Sequence, residues 1–205
     1  MKRQTMIIAA TILMLSVSCG PKNPGLTVVL GDSIMEGHNA LHGIVHGQLV
    51  NLPGQLSYYA ELVFGGEVMN QAEGGARCNG TLSVLNVRAL DFNPRRVILG
   101  CGINDIGKGL DPRPEFTMIH QMLTAAGVEV IIVNVGKLPH RPELDAEIED
   151  YNNFLRTFGS RVIDYNAWTE SIANRRSEVF GDNVHPNKQG YKEFAEFMFN
   201  GKFDE

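Results

Sequence analysis

Residues 27–37 read TVVLGDSIMEG. A β-branched, apolar run stops on Gly31, Asp32 and Ser33, and Gly37 follows soon after. Residues of this kind fit a buried strand. The small polar triplet after them has two readings. Asp and Ser are favoured at helix N-caps, so an ordinary strand-to-helix junction accounts for them. A catalytic nucleophile also accounts for them, because ligands of open α/β sheets gather at the carboxyl ends of the strands. Ser33 alone does not choose between the two.

Outward from this stretch, apolar runs alternate with amphipathic ones. LTVVLG (26–31), EVMNQA (67–72), RRVILGCG (95–102), VEVIIVNVG (128–136) and RVIDYN (161–166) read as five strands. Between and after them, residues 54–65, 81–90, 114–127, 142–159 and 187–200 read as helices. In residues 114–127, Phe116, Ile119, Met122 and Leu123 share one face, with Pro114 near the start and Gly127 as the stop. Such alternation gives parallel strands with helices on both faces. The strands are continuously apolar because both faces are covered. The expected fold is α/β, a three-layer α/β/α sandwich with a mostly parallel five-stranded sheet.

The N-terminus stands apart from this pattern. MKRQTMIIAATILMLSVSCG (1–20) opens with Lys2 and Arg3, continues apolar from Met6 to about Val17, and ends in small residues before Cys19. The run is short for a membrane span and fits an export signal. Cys19 resembles the lipidated cysteine of a bacterial lipobox, although Ser16 occupies the usual leucine position and Leu15 lies one place further away. The expected organisation is a signal peptide over 1–18, a tether over 19–25 and one domain over 26–205. A lipid anchor at Cys19 would place the chain in the periplasm or at the outer membrane or cell surface. Plain secretion and an uncleaved anchor are the alternatives. The net charge is -5, and no run of Lys or Arg extends beyond short pairs such as Arg95-Arg96. That pattern leaves no footprint for nucleic acid.

Four loops carry the candidate chemistry. After GDS, residues 70–80 read NQAEGGARCNG, where Gly74 and Gly75 free backbone N–H groups from Cβ interference. Residues 100–109 read GCGINDIGKG, placing Asn104 and Asp105 just after a strand. Residues 180–190 read FGDNVHPNKQG. There Pro186 pushes His185 toward extended geometry at a helix boundary, and Asp182 lies within reach of its Nδ1. Such a contact fixes the tautomer and frees Nε2 to take a proton from a serine.

In this order the blocks resemble the SGNH or GDSL hydrolase family, whose serine, glycine, asparagine and histidine fall on Ser33, Gly75, Asn104 and His185. Asp182 matches the family's third triad member, and HPNKQGY (185–191) is similar to its His-Pro-x-x-x-Gly ending. Three positions depart from the pattern: Ala72 and Ala76 replace a frequent Gly and Asp, and Asn183 replaces a common Gly. The resemblance implies a flavodoxin-like sheet and ester hydrolysis without a cofactor. Catalytic Ser33, Asp182 and His185 would work with oxyanion donors from the Ser33 and Gly75 N–H groups and the Asn104 amide. Asp32 and Asp105 are expected to support that site from behind. If the two glycine-rich loops converge on one oxyanion, Cys78 and Cys101 are expected to bridge.

The expected substrate is a small-molecule or glycan ester with a short acyl group such as acetyl on a carbohydrate. Lysophospholipase or thioesterase action on longer chains, acyl transfer to a sugar, and a non-catalytic surface-anchored binding module are the alternatives. A nucleophile elbow is excluded, because Met35 stands where its second glycine is needed. His38, His42 and His46 recur every four residues and on a helix would stack as metal ligands. Gly37, Gly43 and Gly47 interrupt that stretch, each costing about 1 kcal/mol in a helix interior. The expectation is therefore a polar, pocket-lining loop and no metal.

Overall fold

The computed structural model describes residues 23–38 and 55–203. Five strands form one sheet in the order β2-β1-β3-β4-β5. They are β1 (Asn23–Gly31), β2 (Val68–Asn70), β3 (Pro94–Gly100), β4 (Glu129–Val133) and β5 (Arg161–Ile163). All four neighbouring pairs run parallel. The order reverses beside β1, as in flavodoxin-like sheets, which puts a crevice at the carboxyl ends of β1 and β3.

Strand alternation decides which residue faces which layer. Val28, Leu30, Val97, Leu99, Val130 and Ile132 point to one face. There they meet α3 (Cys78–Ser83), α4 (Leu85–Arg88), α5 (Ile103–Ile106), α6 (Arg113–Ala125) and α7 (Asp145–Arg156). Val29, Ile98, Ile131, Val133 and Ile163 point to the other. That face is covered by α1 (Ser33–Glu36), α2 (Leu56–Phe64), α8 (Tyr165–Ser171), α9 (Arg176–Val179) and α10 (Lys188–Phe199). The two apolar clusters are thus the two sides of one sheet, and the three-layer expectation holds.

Most boundaries shift by a few residues from the sequence reading, and three of the differences have a clear local cause. β1 begins at Asn23, not Leu26, because the Asn23 N–H donates to Asn93 O and residue 23 pairs with Pro94. The register then shifts before Thr27, where Pro24 has no N–H to give the ladder. The end of the expected tether therefore belongs to the sheet. The helix expected over 81–90 is two short helices separated at Val84. RVIDYN is a strand only to Ile163, because Asp164 caps α8 by accepting from the Ala167 N–H at 2.9 Å. Residues 1–22, with the expected signal peptide and Cys19, lie outside the described residues.

Candidate active site

β1 delivers Ser33 to the crevice. Gly31 lies so close to β3 that a Cβ there would sit 1.8 Å from Gly100 O, and its φ of +138° disfavours other residues. Asp32 caps α1, its Oδ1 accepting from the Ile34 N–H at 3.0 Å. Ser33 is therefore the first residue of α1, with its hydroxyl at the carboxyl end of the sheet. Asn70, at the end of β2, braces this short helix by donating to the carbonyls of Met35 and Glu36. From α10, Tyr191 donates its hydroxyl to Ser33 O at 3.4 Å.

The C-terminal loop meets the serine from the other side. Ser33 Oγ and His185 Nε2 are 2.8 Å apart. His185 Nδ1 lies 2.8 Å from Asp182 Oδ2, while Asp182 Oδ1 accepts from both the Val184 and His185 N–H groups at 2.7 Å. One carboxylate thus shapes the loop and orients the ring it carries. A carboxylate partner places the proton on Nδ1 and leaves the Nε2 lone pair toward Ser33.

Gly75 and Asn104 line the same cleft as Ser33 and His185, a space of about 680 Å³. Gly75 has φ +75°, and a Cβ on neighbouring Gly74 would stand 2.8 Å from Glu36 Oε2. Asn104 donates one amide N–H to Ala76 O at 2.9 Å. An amide has two such groups, so the second remains. Asp105 is buried and accepts from the Cys78 N–H at 2.9 Å. Cys78 and Cys101 form a disulfide, with Cα atoms 5.4 Å apart. The loops after β2 and β3 are therefore joined by a covalent bridge and two hydrogen bonds.

Two supporting carboxyls are perturbed by their surroundings. Burial pushes Asp32 up from 3.8 to about 7, against the pull of the Ile34 and Met35 N–H groups. Burial likewise raises Asp105, opposed by the Cys78 N–H and Arg77.

The site also contains residues that the motif reading did not assign. Tyr191 and Asn70 fall in the quoted blocks but have no spacing that announces their contacts. His38 stacks obliquely on His185, with ring centroids 4.4 Å apart. It follows the C-cap Gly37 instead of lying on α1. His42 and His46 lie outside the described residues.

Residues 29–193 match the GDSL-like lipase/acylhydrolase family. The chain belongs to that family. It is accordingly a hydrolase of ester bonds. No curated protein matches the chain. Among solved structures, a member of the lipolytic G-D-S-L family from Veillonella parvula is similar, with a TM-score of 0.71 and 20% identity over 85% of this chain and 96% of that one. The acetyl xylan esterase AlAXEase has a TM-score of 0.67 and 20% identity, covering 85% of this chain and 98% of its own. An acetyl xylan esterase from Geobacillus stearothermophilus has a TM-score of 0.70 and 13% identity, covering 90% and 98% respectively. At these identities the likeness is one of fold.

Proposed function

We propose that this GDSL hydrolase is a serine esterase that removes short acyl groups, such as acetyl, from carbohydrates. The observation that carries the mechanism is the unbroken path from Ser33 Oγ through His185 to Asp182, with 2.8 Å at both steps. His185 Nε2 takes the hydroxyl proton as Ser33 attacks the acyl carbonyl. Asp182 holds the ring in the accepting tautomer and stabilises the imidazolium that forms. The Ser33 and Gly75 N–H groups and the remaining Asn104 N–H donate to the developing oxyanion. His185 then returns the proton to the leaving alcohol, and water cleaves the acyl-enzyme by the same relay.

Two features support a short acyl group on a polar alcohol. Glu36, His38, Glu73 and Lys108 share the cleft wall with the reacting residues. The cavity beside it, between Met35, Val133 and Tyr165, holds only about 30 Å³. That is room for about two water-sized groups. The acetyl xylan esterases of similar fold point the same way. The lipobox-like residues around Cys19 support export and a lipid anchor, and the disulfide fits an oxidising compartment.

A phosphonate probe tests the nucleophile. It is expected to add mass to the peptide carrying Ser33, and His185→Ala is expected to suppress the labelling. Labelling at a different serine overturns the assignment. Chromogenic esters of increasing acyl length, beside acetylated sugars and a Ser33→Ala control, test the substrate class. A preference that rises with chain length overturns the short-acyl reading. For the anchor, Cys19→Ala is expected to release the protein from membranes while ester hydrolysis persists.

A further inference from the structure

His38 has no part in the relay, yet the fold places it against the relay's base. The N–H groups of Gly37 and His38 both donate to Ser33 O, at 3.2 and 3.1 Å, which turns the chain back over the nucleophile as α1 ends. The His38 ring then lies against His185 with a tilt of 54° between the planes. Donor atoms of His38, Asp182 and His185 all lie within 4.8 Å of one another. The cluster is reachable from solvent, since the Asp182 side chain is 44% exposed and that of His185 17%.

Two imidazoles and one carboxylate are the donor set of a three-ligand zinc site with a fourth position left to water. Bond lengths of about 2.0–2.2 Å to such ligands put donor atoms roughly 3.4 Å apart in a tetrahedron. Rotation of partly exposed side chains on a turn and a surface loop can supply that contraction. Imidazole donors favour borderline ions such as Zn²⁺ and Cu²⁺ over Mg²⁺ and Ca²⁺, which take oxygen.

We propose that His38, Asp182 and His185 form a binding site for a borderline divalent cation of the Zn²⁺ class, whose occupation switches the hydrolase off. The inhibitory consequence rests on the triad reading. His185 has one nitrogen toward Ser33 and the other toward Asp182, so a metal on either one removes it from the relay. Coordination at Nε2 occupies the lone pair that takes the serine proton. Coordination at Nδ1 displaces its proton to solvent and breaks the Asp182 contact. The metal-bound and catalytic states are therefore exclusive.

The test uses zinc chloride titrated against a chromophoric chelator, with the whole protein as wild type, Ser33→Ala, His38→Ala, His38→Gln and Asp182→Asn. The expected result is one Zn²⁺ per chain, bound equally by wild type and Ser33→Ala. Binding is expected to weaken at least tenfold in each of the other three variants. Ester hydrolysis is expected to fall with the same midpoint, to recover with EDTA, and to ignore Mg²⁺. No saturable binding, or unchanged binding in the His38 variants, overturns the site. Binding that survives Asp182→Asn but is lost in His42→Ala also overturns it, assigning the metal to the histidine row instead. Binding as expected, with hydrolysis that does not depend on Ser33, sinks the triad reading and leaves the metal site standing.

Discussion

The two sides of the cleft are built differently. On the oxyanion side, the loops carrying Gly75 and Asn104 are tied by the Cys78–Cys101 disulfide, by Asp105 accepting from the Cys78 N–H, and by Asn104 donating to Ala76 O. On the relay side, His185 sits on a surface loop shaped by three contacts to the single carboxylate of Asp182. The difference fits the work proposed for each side. Oxyanion donors act only if fixed before charge develops. In the proposed mechanism the histidine serves two oxygens in turn, the serine's and the leaving alcohol's, and needs limited freedom between them.

The contrast breaks most sharply at Asp182. Asp182→Ala is expected to lower kcat by about 10⁴-fold, because the ring loses its tautomer and its orientation together. The melting temperature is expected to change little, since the carboxylate is exposed. Steady-state kinetics beside a thermal melt separates the two. A loss under tenfold would remove Asp182 from the relay.

Asp32 caps the helix that begins at Ser33 and links stability to pH. Its carboxyl is raised to about 7 in the folded protein, mainly by burial and slightly by Asp105. Between its ordinary 3.8 and about 7, the folded state holds the proton more tightly than the unfolded chain. The contribution is greatest below 3.8 and is lost as pH rises to about 7. At about 1.4 kcal/mol per unit, the loss is at most about 4 kcal/mol. Asp32→Asn keeps a capping side chain and is expected to flatten this slope. Urea midpoints from pH 4 to 8 for both proteins measure it, and parallel curves would show that Asp32 does not titrate there.

The fold was legible because its signals are local and redundant. Each β-branched run alternates between the two faces, so a boundary error leaves the layer assignment intact. The geometry of the candidate site was legible where residue type and chain position coincide, as for Ser33, Asn104 and His185 at element ends. The start of α8 is not legible, because RVIDYN reads as extended until Asp164 is seen to accept from the Ala167 N–H. Spacing groups His38 with His42 and His46. Its contact with His185 spans most of the chain and follows from the turn at Gly37, which periodicity does not encode.

On the stapled side, Asn104→Ala is expected to lower kcat by roughly 10²–10³-fold, about 2.7–4 kcal/mol, with KM nearly unchanged. This is smaller than the Asp182 effect because two backbone donors remain. The KM clause sharpens the comparison, since a donor used only in the transition state leaves substrate binding alone. Near-normal kcat would make Asn104 a brace for Ala76 O and no more.

The smallest effect asks whether the staples act together. Replacing both Cys78 and Cys101 by Ser opens a link across 23 residues. The expected cost is about 3 kcal/mol of stability. Asp105→Asn keeps an acceptor for the Cys78 N–H, so its cost is about 1 kcal/mol, with kcat within twofold while the bridge is intact. Without the bridge, that hydrogen bond and the Asn104–Ala76 contact are the remaining described hydrogen bonds between the two loops. Asp105→Asn is then expected to lower kcat several-fold more than in the bridged protein. A double-mutant cycle in kcat reads this coupling directly, and groups sharing one network are expected to be non-additive. Strict additivity would mean that the bridge stabilises the fold without positioning the oxyanion donors. The two sides of the cleft would then differ in stability alone.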